Sequence, residues 1–201
     1  MTSVQVDAQF NGKQKAAVEK AMQEAQTILA NNDTVKDEQY LLVAVGGVMQ
    51  NSQHRPIRLM KTHDVKGKFV ANPPGTIGGE DHGAFVHQGA TSQGQLQVIV
   101  GSKCAIVYGT FDRSFPGLGY LLAWDKPDNS DEINKVYVEA GDPYKLDKME
   151  WSEIEPKLDA STNTSTFVDA ETGASATAEI KDNGNKRALI AASFDRFLPK
   201  A

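Results

Sequence analysis

One cysteine, Cys104, stands in a chain of 201 residues. No internal disulfide can form, so the fold must rest on packing. Within the run CAIVY the thiol reads as a small buried hydrophobe rather than a reactive group. No apolar run approaches the ~20 residues that a membrane-spanning helix needs. The opening stretch, MTSVQVDAQFNGKQK, has no apolar core of signal-peptide length. The expected location is therefore cytoplasmic, or outside the cell by release without a conventional signal peptide. Basic excess is lacking too: 21 Lys and Arg face 26 Asp and Glu, for a net charge of -5. A non-specific nucleic-acid binder displaces counterions with a positive field, so nucleic acid is excluded as a partner of that kind.

Chemical motifs are equally sparse. There is no nucleophile elbow, no HExxH and no GxGxxG spacing. Gly75, Gly78 and Gly79 lie in PPGTIGG, which opens no helix that could cradle phosphate, so their role is backbone turning. His82 and His87 are five apart in HGAFVH and would face opposite sides of one strand, the wrong geometry for joint metal binding. A metal set drawn from His63, Asp64, Glu80, Asp81 and His82 would need several loops to converge. An enzyme would need a concave pocket gathering His63, Asp64 or His82. The expectation is a non-enzymatic protein with no cofactor and no metal.

What is present is a change of period. Residues 12–30, GKQKAAVEKAMQEAQTILA, place Val18, Met22, Ala25 and Leu29 in one stripe that Ala21 and Ile28 widen. Asn31-Asn32-Asp33 ends it. Such a helix either packs on a sheet or leaves to meet a membrane or partner. From residue 38 the apolar runs become short: QYLLVAVGGVM, PIRLMKTH, GKFVAN, GAFVHQ, QLQVIV, KCAIVYGTF, YLLAW and NKVYVEA. They are rich in Val, Ile, Tyr and Phe and punctuated by Gly, Pro, Asn and Asp, the pattern of an all-β sandwich or barrel. In NKVYVEA, Val136 and Val138 share one face and Tyr137 and Glu139 the other. Gly101-Ser102 is either a tight turn or a kink in one long strand. Residues 146–155, LDKMEWSEIE, predict a short helix that Pro156 would stop or kink. ATAEIK and KRALIAASF flank Asn183-Gly184, a dipeptide suited to a type I′ hairpin turn. The domain reading is a helical extension over 1–35 and a β-sandwich over 36–201.

GYLLAWDKPDNSDEINKVYVEAG, residues 119–141, joins two apolar runs through a block with almost nothing to bury. It reads first as a core hairpin, with Leu121 and Ala123 on one face and Leu122 and Trp124 on the other. Phe111, Phe115 and Tyr120 bracket a turn before it. They either cap an open end of the sandwich or meet a lipid interface or sugar.

The order of these pieces resembles the β-sandwich shared by actinoporins and aegerolysins, the cytolysin-like group. The pieces are the N-terminal helix, NPPGTIGG leading into GAFVHQ, KCAIVYGTF, GYLLAWDKP, NKVYVE and the short helix MEWSEI. GAFVHQ, CAIVYG, LLAWDKP and NKVYVE are also similar to small jasmonate-induced plant proteins. The resemblance implies a mostly β, two-sheet sandwich with an N-terminal α-helix and one short crossing helix. It implies a defence or stress protein that recognises a membrane sphingolipid headgroup or a glycan, peripheral to the membrane when bound. A larger pore-forming protein partner or a homo-oligomer would accompany it. The implied contact residues are Trp124, Pro127, Tyr137, Tyr144 and Trp151, with Phe115 as a loop anchor. Pro127 is kept, but the tip DNSDEIN lacks the aromatics that would cage a quaternary ammonium. Helix 12–30 is also less apolar than a pore-lining helix, so autonomous pore formation is not expected. The alternative is a soluble stress-induced protein that binds a protein partner or small ligand without membrane activity.

Overall fold

The computed structural model describes residues 3–31, 42–89, 101–110, 117–184 and 186–197. Helix α1 spans Ser3–Asn31. The strands are β1 (Ala44–Asn51), β2 (Ile57–Lys66), β3 (Lys68–Ala71), β4 (Thr76–Ile77), β5 (His82–Gln88), β6 (Ser102–Gly109), β7 (Gly119–Lys126), β8 (Lys135–Gly141), β9 (Thr164–Val168), β10 (Ala174–Asp182) and β11 (Arg187–Arg196). Helices α2 (Pro143–Lys148) and α3 (Trp151–Asp159) fall between β8 and β9. Two sheets form, with strand orders β3-β5-β1-β11-β10-β9 and β4-β2-β6-β7-β8. Among the described residues the pairings are antiparallel except that of β1 with β11, which is parallel.

The expected two-sheet sandwich is therefore the architecture, and each sheet has a helical cover. Between the sheets lies the main core, with Val45, Met49, Phe85, Ile106, Leu122, Trp124, Val138, Ile190 and Phe194 among its members. Alternation along β7 sends Leu122 and Trp124 inward and Leu121 and Ala123 outward. The outward pair does not meet water, because Leu146 of α2 and Ile154 and Leu158 of α3 cover it. This double cover explains why CAIVYG and LLAW read as continuous apolar runs rather than as alternation. In β8, as expected, Val136 and Val138 face the core and Tyr137 and Glu139 do not.

On the far side, Val18, Ala21 and Ala25 of α1 are buried against Ala44, Val48, Val86, Leu189 and Ala191. Met22 and Ile28 flank them, so the stripe packs on a sheet as its spacing allows. Alanines on both surfaces let the helix lie close. Gly47 of β1 sits opposite Phe85 of β5, and a methyl there would fall 2.1 Å from the Phe85 ring.

Three local expectations change. The single crossing helix over 146–155 is two helices, because Met149 and Glu150 are extended and break the run. Asp142 caps α2, its Oδ1 accepting the Tyr144 N–H at 2.8 Å, and Pro143 follows in the first turn, where its missing N–H costs nothing. Glu150 and Glu153 form a reciprocal capping box at the start of α3. Pro156 does not stop α3, which runs on to Asp159. The carbonyl that would have received its N–H belongs to Ser152, which is exposed to water. The turn after β10 is wider than a two-residue type I′ turn. Among its described residues, Gly184 and Lys186 have positive φ, and the Asn183 N–H reaches the Arg187 carbonyl at 2.9 Å. The stretch before Gly101 lies outside the described residues, so the choice between turn and kink does too. Ser102 begins β6.

Candidate functional site

The residues proposed from sequence as ligand contacts do not converge. Trp124 is a correction: it is wholly buried and has no surface to offer. Its ring stacks on Phe85 at 4.9 Å, and its indole N–H donates to Ser102 Oγ at 2.9 Å. The hairpin alternation that makes β7 a core strand sends this side chain between the sheets. Tyr120 is also buried, stacked on Phe194, with its hydroxyl donating to the Asp195 carbonyl at 2.9 Å. Phe115 and Phe111 lie outside the described residues.

Tyr137 and Trp151 share the apolar cluster under α2 and α3, and each has a cation of the protein beside its ring. Lys157 Nζ is 5.9 Å from the Tyr137 ring and Lys103 Nζ is 5.7 Å from that of Trp151. The Tyr137 hydroxyl donates to Glu139 Oε2 at 2.7 Å. Burial, with the neighbouring carboxylate, pushes this phenol well above its ordinary range. Lys103 is almost enclosed, 3.2 Å from Asp125, 3.0 Å from Glu155 and 3.6 Å from Asp159. Burial pulls its pKa down, but the three carboxylates outweigh that and raise it. These groups clamp α3 to the sheet, and no empty aromatic cage remains between them. Tyr144 is exposed on α2, and Pro127 is half-buried at the hairpin tip.

The tip of the β7–β8 hairpin offers a different arrangement. Asp125 and Lys135 close the ladder, and residues 127–134 project beyond it. Asn129 shapes the loop: its side-chain oxygen accepts the Asp131 N–H at 3.0 Å. Ile133, the one large aliphatic side chain of the tip, is 63% exposed. Beside it a groove of about 680 Å³ separates this tip from the β10–β11 hairpin. Lys126, Lys181 and Lys186 supply donors to its wall, and Asp128, Glu179 and Asp182 supply acceptors. Lys186 and Asp128 meet at 2.6 Å across it. Asn134 Oδ1, also on the wall, is buried without a hydrogen-bond partner. A second, smaller groove of about 300 Å³ runs on the other side of the tip, past Pro127, Asn129, Lys66 and Gly101. Mixed charge, an unsatisfied acceptor and an exposed aliphatic rim suit a small polar or zwitterionic group attached to something apolar. Sequence reasoning reached this loop but passed over Ile133 and Asn134. The available signal was an isoleucine set alone in a polar tip, DNSDEIN.

The histidines separate as their spacing requires, with His82 exposed and His87 wholly buried. Among the described residues, His63, Asp64, Glu80, Asp81 and His82 are not gathered into one cluster. His54 pairs with Glu80 at 3.0 Å, and His82 lies near Glu24 and Asp81. Burial lowers the pKa of His63, with the Lys61 charge adding to it. Burial also drives His87 to about 4, against the charge of Asp64, so its ring is neutral near pH 7. Cys104 is enclosed as expected, and burial pushes its thiol far above the reactive range.

A family model described as Nakanori-like protein matches residues 4–191. The chain belongs to the Nakanori-like protein family. Within the curated proteins it is similar to a jasmonate-induced protein homolog of Atriplex canescens, 29% identical over 147 residues, which are 72% of this chain and 76% of the relative. This agrees with the motifs GAFVHQ, CAIVYG, LLAWDKP and NKVYVE. The fold is similar to that in the crystal structure of the lipid binding protein Nakanori, with a TM-score of 0.67 and 21% identity. That likeness covers 87% of this chain and 80% of the other. The Nakanori-like assignment is in line with the expected aegerolysin-type β-sandwich and does not extend to features specific to actinoporins.

Proposed function

We propose that this Nakanori-like protein is a non-enzymatic recogniser of membrane lipid, taking a sphingolipid-type headgroup into the groove beside the hairpin tip. The observation that carries the reading is the pairing of exposed Ile133 with the polar groove it borders. An aliphatic side chain at the rim would enter the acyl boundary, while the lysines, the carboxylates and Asn134 would meet the headgroup. The protein would then be peripheral to the membrane. Membership of the family, and a structural neighbour titled a lipid binding protein, support this choice.

The reading does not make α1 a pore. Its apolar stripe is already used against β1, β5 and β11, and no helix among the described residues is long and apolar enough to cross a membrane. Leakage would instead require a partner, either a larger pore-forming protein or further copies of the chain. Glycan binding by stacking is less well supported, since Trp124 is buried and Trp151 and Tyr137 face the protein's own lysines.

The test is co-sedimentation with vesicles of phosphatidylcholine alone, with added sphingomyelin, or with added glycosylated sphingolipid, while dye release is followed. Sphingomyelin-dependent binding without leakage is the expected result. Fully burying an aliphatic side chain gains about 1.5–3 kcal/mol, so Ile133→Asp is expected to weaken binding by tenfold or more. No binding to any mixture, or unchanged binding by a folded Ile133→Asp protein, would overturn the proposal.

A further inference from the structure

Three potential ligand atoms from different strands meet where the sheets face one another near the turn at residues 66–68. Asp64 of β2 is paired in register with Cys104 of β6, so both point inward from one sheet. His87 of β5 points inward from the other, its ring edge-on to Phe69 at 4.8 Å and to Trp124 at 5.5 Å. One ligand atom from each of Asp64, His87 and Cys104 lies within 4.8 Å of the others. Cys104 Sγ is 3.5 Å from Asp64 Oδ1, and His87 Nε2 is 3.8 Å from the same oxygen.

We propose that Asp64, His87 and Cys104 form a binding site for a zinc-type divalent cation. The orphaned nitrogen is the observation that points to a ligand. His87 is wholly enclosed, yet its Nε2 has no hydrogen-bond partner, and 3.8 Å to Asp64 is too long for one. Its other nitrogen, Nδ1, is 2.8 Å from Ser102 Oγ. That oxygen has two lone pairs, enough to accept both the Trp124 N–H and an Nδ1–H. The resulting tautomer presents a bare lone pair at Nε2, the arrangement by which metal-binding imidazoles are held through their far nitrogen.

Geometry and donor chemistry agree with this. Zinc bonds of ~2.3 Å to sulfur and ~2.0–2.2 Å to nitrogen and oxygen put tetrahedral ligand atoms about 3.4–3.6 Å apart. The two separations from Asp64 Oδ1 are within a few tenths of an ångström of that range, while that between His87 and Cys104, within 4.8 Å, closes as the ion binds. A sulfur, nitrogen and oxygen set suits a borderline cation rather than calcium or magnesium. Binding would convert the Cys104 thiol to thiolate, releasing one proton to solvent as the metal–sulfur bond forms. Asp64 is 48% exposed, so the ion has a path from water, and water would take the fourth position. Gly67 holds the adjoining turn at φ 99°, and a methyl there would fall 2.4 Å from the Gln88 carbonyl oxygen and 2.7 Å from the His87 ring. The turn thus backs the imidazole closely.

The test uses the full untagged chain, stripped with chelator and titrated with Co²⁺ and separately with Zn²⁺. One equivalent of Co²⁺ is expected to produce a near-ultraviolet thiolate charge-transfer band, and Zn²⁺ to abolish it by displacement. Cys104→Ser removes the band. Asp64→Asn, a nearly isosteric change at a half-exposed position, weakens Zn²⁺ binding at least tenfold by calorimetry. Absence of the band in the folded wild-type protein overturns the proposal. So does Zn²⁺ affinity that is the same in wild type, Cys104→Ser and Asp64→Asn, because the binding would then lie at other side chains.

Discussion

Ser102 offers the sharpest test of the core around Trp124. Its hydroxyl is fully buried and serves two ring nitrogens, Trp124 Nε1 at 2.9 Å and His87 Nδ1 at 2.8 Å. Ser102→Ala removes one oxygen and leaves two buried polar groups without partners. Each stranded group costs ~1–3 kcal/mol, so the pair predicts a loss of about 3 kcal/mol. For a chain of this size, 1 kcal/mol shifts Tm by roughly 2–4 °C, which puts the expected fall at about 6–12 °C. The assay is thermal and urea unfolding in the presence of chelator, so that metal binding at His87 does not contribute. A double-mutant cycle supplies the control. Trp124→Phe removes the indole N–H, so Ser102→Ala should cost at least about 1 kcal/mol less in that background. A fall of less than about 1 kcal/mol in the single variant would refute the reasoning, as would strict additivity in the cycle, since both would mean that the hydroxyl is not the shared acceptor.

Gly47→Ala is expected to cost about 1–3 kcal/mol, because the new methyl must displace the Phe85 ring from its stack on Trp124. Urea midpoints check this, and Phe85→Leu in the same chain should recover part of the loss. Lys103→Met strands Asp125, whose side chain is only 16% exposed. The expected cost is about 2 kcal/mol, below that of a fully buried pair because Glu155 and Asp159 remain in water. The same network predicts a pH signature. Hydrogen bonding and charge from Lys103 hold the Glu155 carboxyl below its usual range. Its contribution is therefore present above the unfolded value of ~4.3 and lost as pH falls through the lower folded value. The raised Lys103 contributes fully below the ordinary lysine value and loses that contribution as pH rises through its higher one. The Tm difference between wild type and Lys103→Met should thus be widest near neutrality and shrink at both extremes. A difference that stays constant from pH 3 to 7 would contradict this account of the clamp.

Much of the architecture was legible because it rests on local periodicity. The stripe through Val18, Ala21, Met22 and Ala25 specifies which side of α1 is buried. Alternation in residues 119–126 and 135–141 specifies that Leu122, Trp124, Val136 and Val138 share one side of their sheet. Those patterns depend on neighbours a few positions apart, and they were enough for a sandwich with an N-terminal helix. The break between α2 and α3 was harder to read, since it turns on extended backbone at Met149 and Glu150 inside a sequence that supports helix on either side.

Alternation by itself determined that Trp124 and Leu121 point to opposite sides, but it could not say what covers each side. Only the tertiary structure decided that the two sheets close over Trp124 and that α2 and α3 close over Leu121, leaving neither for a ligand. The same limit applies to chemistry. Asp64, His87 and Cys104 are far apart in the chain and lie on three strands of two sheets. Their meeting depends on register and on sheet facing, both long-range packing outcomes. The tip groove likewise exists because two hairpins remote in sequence project from the same end of the sandwich. The sequence by itself therefore determined the faces of its helix and strands, through the 3.6- and 2-residue repeats of the backbone. Which faces meet, and which side chains thereby become neighbours, was decided by the packing of one sheet on the other.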